Sequence, residues 1–172
     1  MREDHKIKGN TVGSRQELKI QDLAYIAGFL DGDGSIMMQI KRRPDTKLGW
    51  RIMTTICFYQ DARHMESLRW IRHIFHIGYI SMRNDHMAEY RINGFGETQR
   101  VLQFLKPFIR FKKKQVTIML KILPLLCRKK LMEMSRKERL RVAEVIISLR
   151  EHNYQSHQRR YTDESIKAML DF

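Results

Sequence analysis

The feature that most constrains this chain is a change in the spacing of its apolar residues near residue 32. Four residues before this point recur at the spacing of one helix face: Leu23, Ile26, Ala27 and Leu30. They predict a helix over 22–31, with Asp22 as its N-cap. Beyond it Ile36, Met38 and Ile40 alternate with other residues, which predicts a strand. Gly32 and Gly34 separate the two patterns, and we expect the chain to leave the helix there through positive φ angles.

Further strands and helices are predicted along the rest of the chain. Strands are predicted over 51–59, 79–83 and 89–93, and helices over 62–75 and 97–105. An apolar stretch over 116–126, a helix beginning with the capping box Ser135–Glu138 and ending near 151, and a helix over 163–170 capped by Thr162 follow. The order predicts an α+β fold: an αββαββα core with a four-stranded antiparallel sheet, helices on one face and extra C-terminal helices.

We expect one domain over 19–172, with its C-terminal helices from about 126, preceded by a flexible polar arm over 1–18. No apolar run approaches the roughly 20 residues that cross a bilayer. The two cysteines, Cys57 and Cys127, provide neither a disulfide framework nor a zinc cluster. These observations favour an intracellular protein without a membrane anchor.

The charge of the chain indicates a polyanionic partner. Lys and Arg number 33 against 19 Asp and Glu, so the formal net charge is +14. A polyanion offsets the self-repulsion of such a chain, and binding to phosphates releases condensed counterions. We therefore expect nucleic acid as the partner, with a generic basic surface as the alternative.

Two carboxylates, Asp31 and Asp33, lie at the end of the first predicted helix. Because a helix C-terminus already carries partial negative charge, they are unfavourable there unless a cation compensates. Hard divalent ions bind carboxylate and carbonyl oxygens, and Mg²⁺ often needs only one or two carboxylates plus phosphate. An ordinary Asp-Gly turn is the alternative, whereas an EF-hand loop is excluded because Arg42 occupies the position of its glutamate.

Small residues recur on the same helix at every fourth position: Ala24, Gly28 and Gly32. Such a stripe lets another backbone approach closely. If the neighbour is the same helix of a second copy, two Asp33 carboxylates converge near a two-fold axis. The predicted assembly is a homodimer with this stripe as its interface.

The segment 23–35, and above all Ile26-Ala-Gly-Phe-Leu-Asp-Gly-Asp-Gly-Ser35, resembles the signature of the LAGLIDADG homing endonucleases. One copy in a short chain is similar to the single-motif, homodimeric class. Gly78-Tyr79 and the segment 105–115 also resemble that class in order and spacing, so the resemblance covers about residues 20–125.

The resemblance implies a set of site residues. Asp33 matches the metal-binding acid and Gly32 the residue that lends a carbonyl, whereas Asp31 matches an acid that caps and buttresses. Gln60 matches a side chain that positions water, with an ordinary polar strand end as the alternative. Lys112 matches a lysine that polarises the scissile phosphate or a nucleophilic water, and simple phosphate contact is its alternative.

The resemblance also implies an arginine in the catalytic pocket, and this chain departs from that pattern. His64 occupies the matching position, with Arg63 beside it. Either Arg63 reaches the pocket or His64 serves there, which would make cleavage depend more strongly on pH.

The side chains that point away from the predicted core are polar, basic or methionine. Gln39 suits adenine, and the basic members suit guanine or phosphate. The predicted DNA-binding set is Ser35, Met37, Gln39, Lys41, Arg43, Arg51, Met53, Thr55, Tyr59, Ser81, Arg83, Glu89 and Arg91. A solvated sheet face is the alternative.

The function implied is hydrolysis of both strands of a long, roughly palindromic DNA site, as expected of an intron-encoded homing endonuclease. Mg²⁺ is the expected cofactor; Mn²⁺ should substitute for it, and Ca²⁺ should bind without supporting efficient cleavage. The rival functions are an RNA-splicing cofactor, or maturase, and a non-catalytic DNA-binding regulator on the same fold.

Overall fold

The computed structural model describes residues 18–153 and 161–172. The first helix, α1 (Ile20–Asp33), leads directly into the strand β1 (Gly34–Arg42). The predicted arm lies outside the described residues apart from Leu18. Within the described residues, no helix has the length and apolarity needed to span a membrane.

The ends of α1 differ from the prediction. Lys19 is its N-cap, so Asp22 lies inside the first turn. The helix continues through Asp33, and Gly34 follows it with φ −122°. Neither Gly32 nor Gly34 adopts positive φ, so the expected left-handed exit is wrong. Gly34 is required for space instead: a Cβ there would lie 2.6 Å from Leu30 Cδ1 and 2.8 Å from the Leu30 carbonyl oxygen.

The sheet confirms the predicted α+β class. Its other strands are β2 (Trp50–Asp61), β3 (Tyr79–Met82) and β4 (Met87–Asn93). All pairs are antiparallel, in the order β1-β2-β4-β3. Gly34 pairs with Phe58, so the C-terminal end of α1 and the C-terminal end of β2 lie at the same end of the sheet.

Between β2 and β3 the predicted helix 62–75 is divided into two parts. A 3₁₀ turn over Ala62–His64 comes first, and α2 (Glu66–Phe75) follows. The Asp61 carboxylate accepts a hydrogen bond from the Arg63 backbone N–H, which satisfies an N–H group at the start of the turn.

The helices after the sheet follow the predicted order. They are α3 (Phe95–Leu105), α4 (Lys113–Arg128), α5 (Arg136–His152) and α6 (Asp163–Leu170), with a 3₁₀ turn over Leu131–Glu133. Ser135 and Glu138 form the predicted capping box, and the Thr162 side chain caps α6.

The core lies between one face of the sheet and the helices. The even-numbered residues in the middle of β1, β2 and β4 are buried in it, including Ile36, Ile56 and Tyr90. They pack with the apolar residues of α1, α2 and α3, among them Leu23, Leu68 and Leu102. The odd-numbered residues of these strands therefore face away from the helices.

Candidate metal centre and nucleic-acid interface

Asp31 connects the end of α1 to the loop before α4. Its side chain is buried, and its carboxylate accepts hydrogen bonds from the backbone N–H groups of Arg110, Phe111 and Lys112. Three N–H donors on one carboxylate leave it little capacity for a metal ion. Asp31 therefore acts as a structural anchor for this loop, as the family resemblance implies.

The same anchor places Lys112 beside the end of α1. Its ammonium group donates a hydrogen bond to the Asp31 carbonyl oxygen. Burial lowers the pKa of Lys112, while the negative charges of Asp31 and Asp33 act in the opposite direction. Lys112 and Asp33 thus lie within electrostatic reach of each other although 79 positions separate them.

Asp33 is the exposed acid of the pair and the last residue of α1. No basic residue lies in the last turn of this helix, and the final carbonyls of a helix lack intrahelical partners. Carboxylate and carbonyl oxygens at the negative helix end are the donor set that Mg²⁺ and Ca²⁺ prefer. The residues present therefore fit a divalent ion held by Asp33 and the Gly32 carbonyl.

One copy of the chain does not enclose such an ion. The described residues contain no group of three or more His, Cys, Asp or Glu side chains close enough to share a metal. Water, phosphate or a second copy would have to complete the coordination, as is common for Mg²⁺.

Gln60 lies at the same end of the sheet as Asp33. It comes two residues after Phe58, which pairs with Gly34. Its amide oxygen accepts a hydrogen bond from the Asp61 N–H at 2.9 Å, which orients the side chain at the end of β2. The amide nitrogen is then the group available to orient a water molecule.

The two candidates for the basic position differ in their contacts. The Arg63 guanidinium donates to the Asp61 carboxylate from Nε at 3.0 Å and from Nη2 at 2.7 Å. These bonds hold the pKa of Asp61 well below its usual range. His64 is exposed. In the described part of the chain, no hydrogen bond or ion pair connects either side chain to Asp33 or Lys112.

The strand register places the strand members of the predicted DNA-binding set on one face. Ser35, Cys57, Arg91 and Tyr79 form one continuous row across all four strands. Tyr59, Glu89 and Ser81 form the neighbouring row on the side of Asp61, and Lys41 pairs with Arg51 at the far end. The face is that of the odd-numbered residues, opposite the helices.

Two members of the set are not accessible in the way the sequence suggested. Thr55 is 1% exposed, and its hydroxyl donates to Asn93 Oδ1 at 2.7 Å. Glu89 is 7% exposed, and both of its carboxylate oxygens accept hydrogen bonds. These two side chains hold their neighbours in place instead of offering free contacts.

Five strand residues of the same face were absent from the predicted set: Cys57, Asp61, Tyr79, Met87 and Asn93. Strand alternation already indicated Cys57, which lies between Thr55 and Tyr59, and Asn93, which follows Arg91 by two positions. Burial raises the pKa of the Cys57 thiol to about 11, so it stays protonated and serves as a small packing group.

The stripe of small residues on α1 is bare. Ala24, Gly28 and Gly32 are exposed, and a Cβ at either glycine would have no neighbour within 4 Å. Tyr25 is 66% exposed beside them. Phe111, which is 81% exposed, adjoins the end of the same helix because its N–H binds Asp31.

A family model described as LAGLIDADG endonuclease matches residues 26–123. The DNA endonuclease I-CreI of Chlamydomonas reinhardtii is 30% identical over 149 residues, or 87% of this chain and 88% of the relative. The DNA endonuclease I-CvuI of Chlorella vulgaris is 32% identical over 100 residues. That match spans 58% of this chain and 62% of I-CvuI.

Solved structures of LAGLIDADG endonucleases have the same fold as this chain. I-CvuI in complex with the I-CreI target, in the presence of Mg and with the DNA not cleaved, superposes with a TM-score of 0.77 at 25% identity. The superposition covers 87% of this chain and 92% of I-CvuI. I-SmaMI bound to uncleaved DNA has a TM-score of 0.65 at 20% identity, and the match covers 75% of this chain but 45% of I-SmaMI.

Proposed function

The chain belongs to the LAGLIDADG endonuclease family, and from this premise we propose that it is a homing endonuclease that cuts both strands of one long, nearly palindromic DNA site. The observation that carries the proposal is the contact between two distant segments at the end of α1. Asp31 anchors the loop that brings Lys112 beside the exposed Asp33. Acid, lysine and helix-end carbonyls together suit a phosphodiester and a divalent ion.

The chemistry is metal-assisted hydrolysis of a phosphodiester. Asp33 and the Gly32 carbonyl would hold a divalent ion, which would supply Lewis-acid activation and charge neutralisation at the phosphate. Mg²⁺ is the expected ion and Mn²⁺ its substitute; Ca²⁺ binds without supporting efficient cleavage. I-CvuI has been crystallised on DNA in the presence of Mg and, with its own target, in the presence of Ca, which supports the use of a divalent ion here.

The side chains around the metal have distinct roles. Lys112 donates to the Asp31 carbonyl with one of its three N–H groups, which leaves two to contact the scissile phosphate. Gln60 orients the attacking water through its amide group. Either His64 or Arg63 fills the remaining basic position: His64 is exposed, and the exposed Arg63–Asp61 pair can open when phosphate approaches.

A second copy of the chain completes the enzyme. About three quarters of this chain matches 45% of I-SmaMI, so a longer protein contains the same fold with further chain to accompany it. The bare stripe at Ala24, Gly28 and Gly32 lies on the helix that ends in Asp33. Packing two such stripes together brings two Asp33 carboxylates near one axis, one for each DNA strand.

The outward face of the sheet binds the DNA. A twisted antiparallel ribbon fits the major groove, and the rows of side chains run from the Asp33 end to Lys41 and Arg51 at the far end. Rows near Asp33 therefore contact base pairs close to the cleavage position, and rows farther away contact the outer base pairs of each half-site.

Cleavage of a plasmid tests the proposal. The plasmid carries the uninterrupted form of the gene in which the chain is encoded, and it is incubated with protein and Mg²⁺. Wild type should produce double-strand cuts, and Asp33→Asn should lose cleavage by at least about a hundredfold while a gel shift of the same DNA persists, because only the metal-binding oxygen pair changes.

Other outcomes would point elsewhere. Binding of the plasmid without cutting by wild type would indicate a DNA-binding regulator. Affinity confined to intron RNA would indicate a splicing cofactor. Full cleavage by Asp33→Asn would contradict the metal-binding role of this residue.

A further inference from the structure

Glu89 occupies an unusual place for a carboxylate: the middle of a face that binds a polyanion. Its side chain is 9% exposed, and Arg91 beside it is 27% exposed. Arg91 Nε donates to Glu89 Oε1 at 2.7 Å, and Arg91 Nη2 donates to Glu89 Oε2 at 2.9 Å. Ser81 Oγ donates to Glu89 Oε1 at 3.0 Å. The guanidinium of Arg91 is thus held by a parallel pair of bonds, which fixes its plane.

Other arginines near this face have carboxylates two residues away, but those pairs are exposed. The side chains of Arg43 and Asp45 are 41% and 62% exposed, and those of Arg83 and Asp85 are 46% and 52% exposed. Exposed pairs contribute little and exchange readily with water or phosphate. Of these three pairs, Glu89–Arg91 is the one whose carboxylate is shielded from solvent, so it should persist when DNA binds.

The pairing leaves a defined part of Arg91 free to bind another group. Glu89 uses the Nε–H and one N–H of Nη2. The two N–H groups of Nη1 and the second N–H of Nη2 remain, and they lie on the end of the guanidinium. An end-on pair of N–H donors matches the O6 and N7 acceptors of guanine in the major groove.

The role of Glu89 follows from the same contacts. A carboxylate that read cytosine directly would have to present a free oxygen to the groove. Both Glu89 oxygens are already engaged and the side chain is buried. Glu89 therefore contributes to base recognition by orienting Arg91.

We propose that Glu89 is a positioning residue that holds Arg91 in the orientation that reads one guanine in the inner part of each half-site. The location follows from the register: Arg91 pairs with Cys57, and Cys57 pairs with Ser35, which is two residues from Asp33. This inference rests on the proposed endonuclease function. It identifies the base and the part of the half-site that this pair of residues controls.

Selection from a randomised duplex DNA pool tests the inference whatever the target sequence is. Wild-type protein is incubated with the pool and Mg²⁺, cleaved molecules are sequenced, and base preference is tabulated for each position. Wild type should prefer guanine at one inner position of each half-site. Glu89→Gln should reduce that preference by about tenfold, because its amide nitrogen faces the Nη2 donor of Arg91, and should leave the outer positions unchanged.

Two further variants separate recognition from folding. Arg91→Lys keeps the charge but loses the two-donor geometry, so it should lose the same guanine preference even if Glu89→Gln is too unstable to assay. Asp85→Asn is the matched control, since it removes one negative charge from an exposed pair in the turn between β3 and β4. It should leave the preference at the inner position at its wild-type value.

Different outcomes test the endonuclease function and the positioning role of Glu89. Failure of wild type to cleave any member of the pool would overturn the endonuclease function, and this inference with it. Wild-type cleavage with an inner preference that survives both Glu89→Gln and Arg91→Lys would overturn only the positioning role. A loss of preference spread evenly over all positions in Glu89→Gln would also overturn it, because that result indicates a general structural effect.

Discussion

Asp31 and Asp33 are two positions apart in one helix, but their different surroundings indicate different roles. The carboxylate of Asp31 is buried under three backbone N–H groups, whereas that of Asp33 is exposed at the helix end. Charge-assisted hydrogen bonds of this kind contribute roughly 1.5–3 kcal/mol each. Asp31 therefore stabilises the fold, and Asp33 is available to bind the proposed divalent ion.

The same substitution at both positions should separate these roles. Asp31→Asn replaces an acceptor oxygen with an N–H₂ donor facing backbone N–H groups, so we expect the Tm of the free protein to fall by about 5–10 °C. Cleavage should fall as well, because Lys112 loses its anchor. Asp33→Asn should leave Tm within about 2 °C of wild type while cleavage is lost.

Differential scanning calorimetry without DNA and cleavage of the target by both variants make the comparison. Equal losses of Tm in the two variants would contradict the division of roles. So would an Asp31→Asn protein with wild-type stability.

At the scale of elements, the junction of α1 and β1 depends on space at Gly34. A Cβ there would lie 2.8 Å from the Leu30 carbonyl oxygen and 2.9 Å from Leu30 Cα, both of them backbone atoms. Because backbone cannot move aside as a flexible side chain does, Gly34→Ala should destabilise the protein by roughly 1–3 kcal/mol.

Urea unfolding followed by circular dichroism measures this free energy. Gly96→Ala is the control, since Gly96 lies in α3 with no atom within 4 Å of its added Cβ; it should be neutral or stabilising by up to about 1 kcal/mol. Gly34→Ala with an unchanged free energy of unfolding would show that the junction accommodates a Cβ at this position.

The elements also show which parts of the structure local sequence can predict. The alternation of Ile36, Met38 and Ile40 predicts β1 and its buried side, because side chains of a strand point to opposite faces whatever surrounds them. From the apolar spacing, α1 is predicted to end two residues before its observed end at Asp33. The helix persists because Asp31 binds residues 110–112, a tertiary contact that no local pattern contains.

In the candidate site too, local sequence predicts some features and not others. The alternation places Arg91 and Glu89 on the outward face, and the signature resemblance indicates Asp33 and Lys112. Alternation does not reveal that Glu89 is buried, since its burial depends on Cys57 and Ser81 in neighbouring strands. Cross-strand register, which is a property of the folded sheet, decides which polar residues are free.

At the scale of the whole molecule, the proposed enzyme contains two copies of the chain. Gly28 lies in the middle of the bare stripe on α1, where an added side chain meets nothing within one copy. Gly28→Leu should therefore leave the folded monomer intact but prevent two helices from approaching. We expect monomers by multi-angle light scattering at concentrations where wild type is dimeric.

Gly96→Leu is the matched control, because it makes the same change at an exposed helical glycine outside the stripe. It should remain dimeric. A Gly28→Leu protein that stays dimeric would exclude this stripe as the interface.

The central claim is that the end of α1 holds a divalent ion against the phosphate that is cut. Crystals of the protein with its DNA site and Mn²⁺, measured at a wavelength where manganese scatters anomalously, test it most directly. We expect an anomalous peak about 2.0–2.3 Å from an Asp33 carboxylate oxygen and in contact with the scissile phosphate. A complex in which DNA lies on the sheet but no manganese peak adjoins Asp33 would contradict the account.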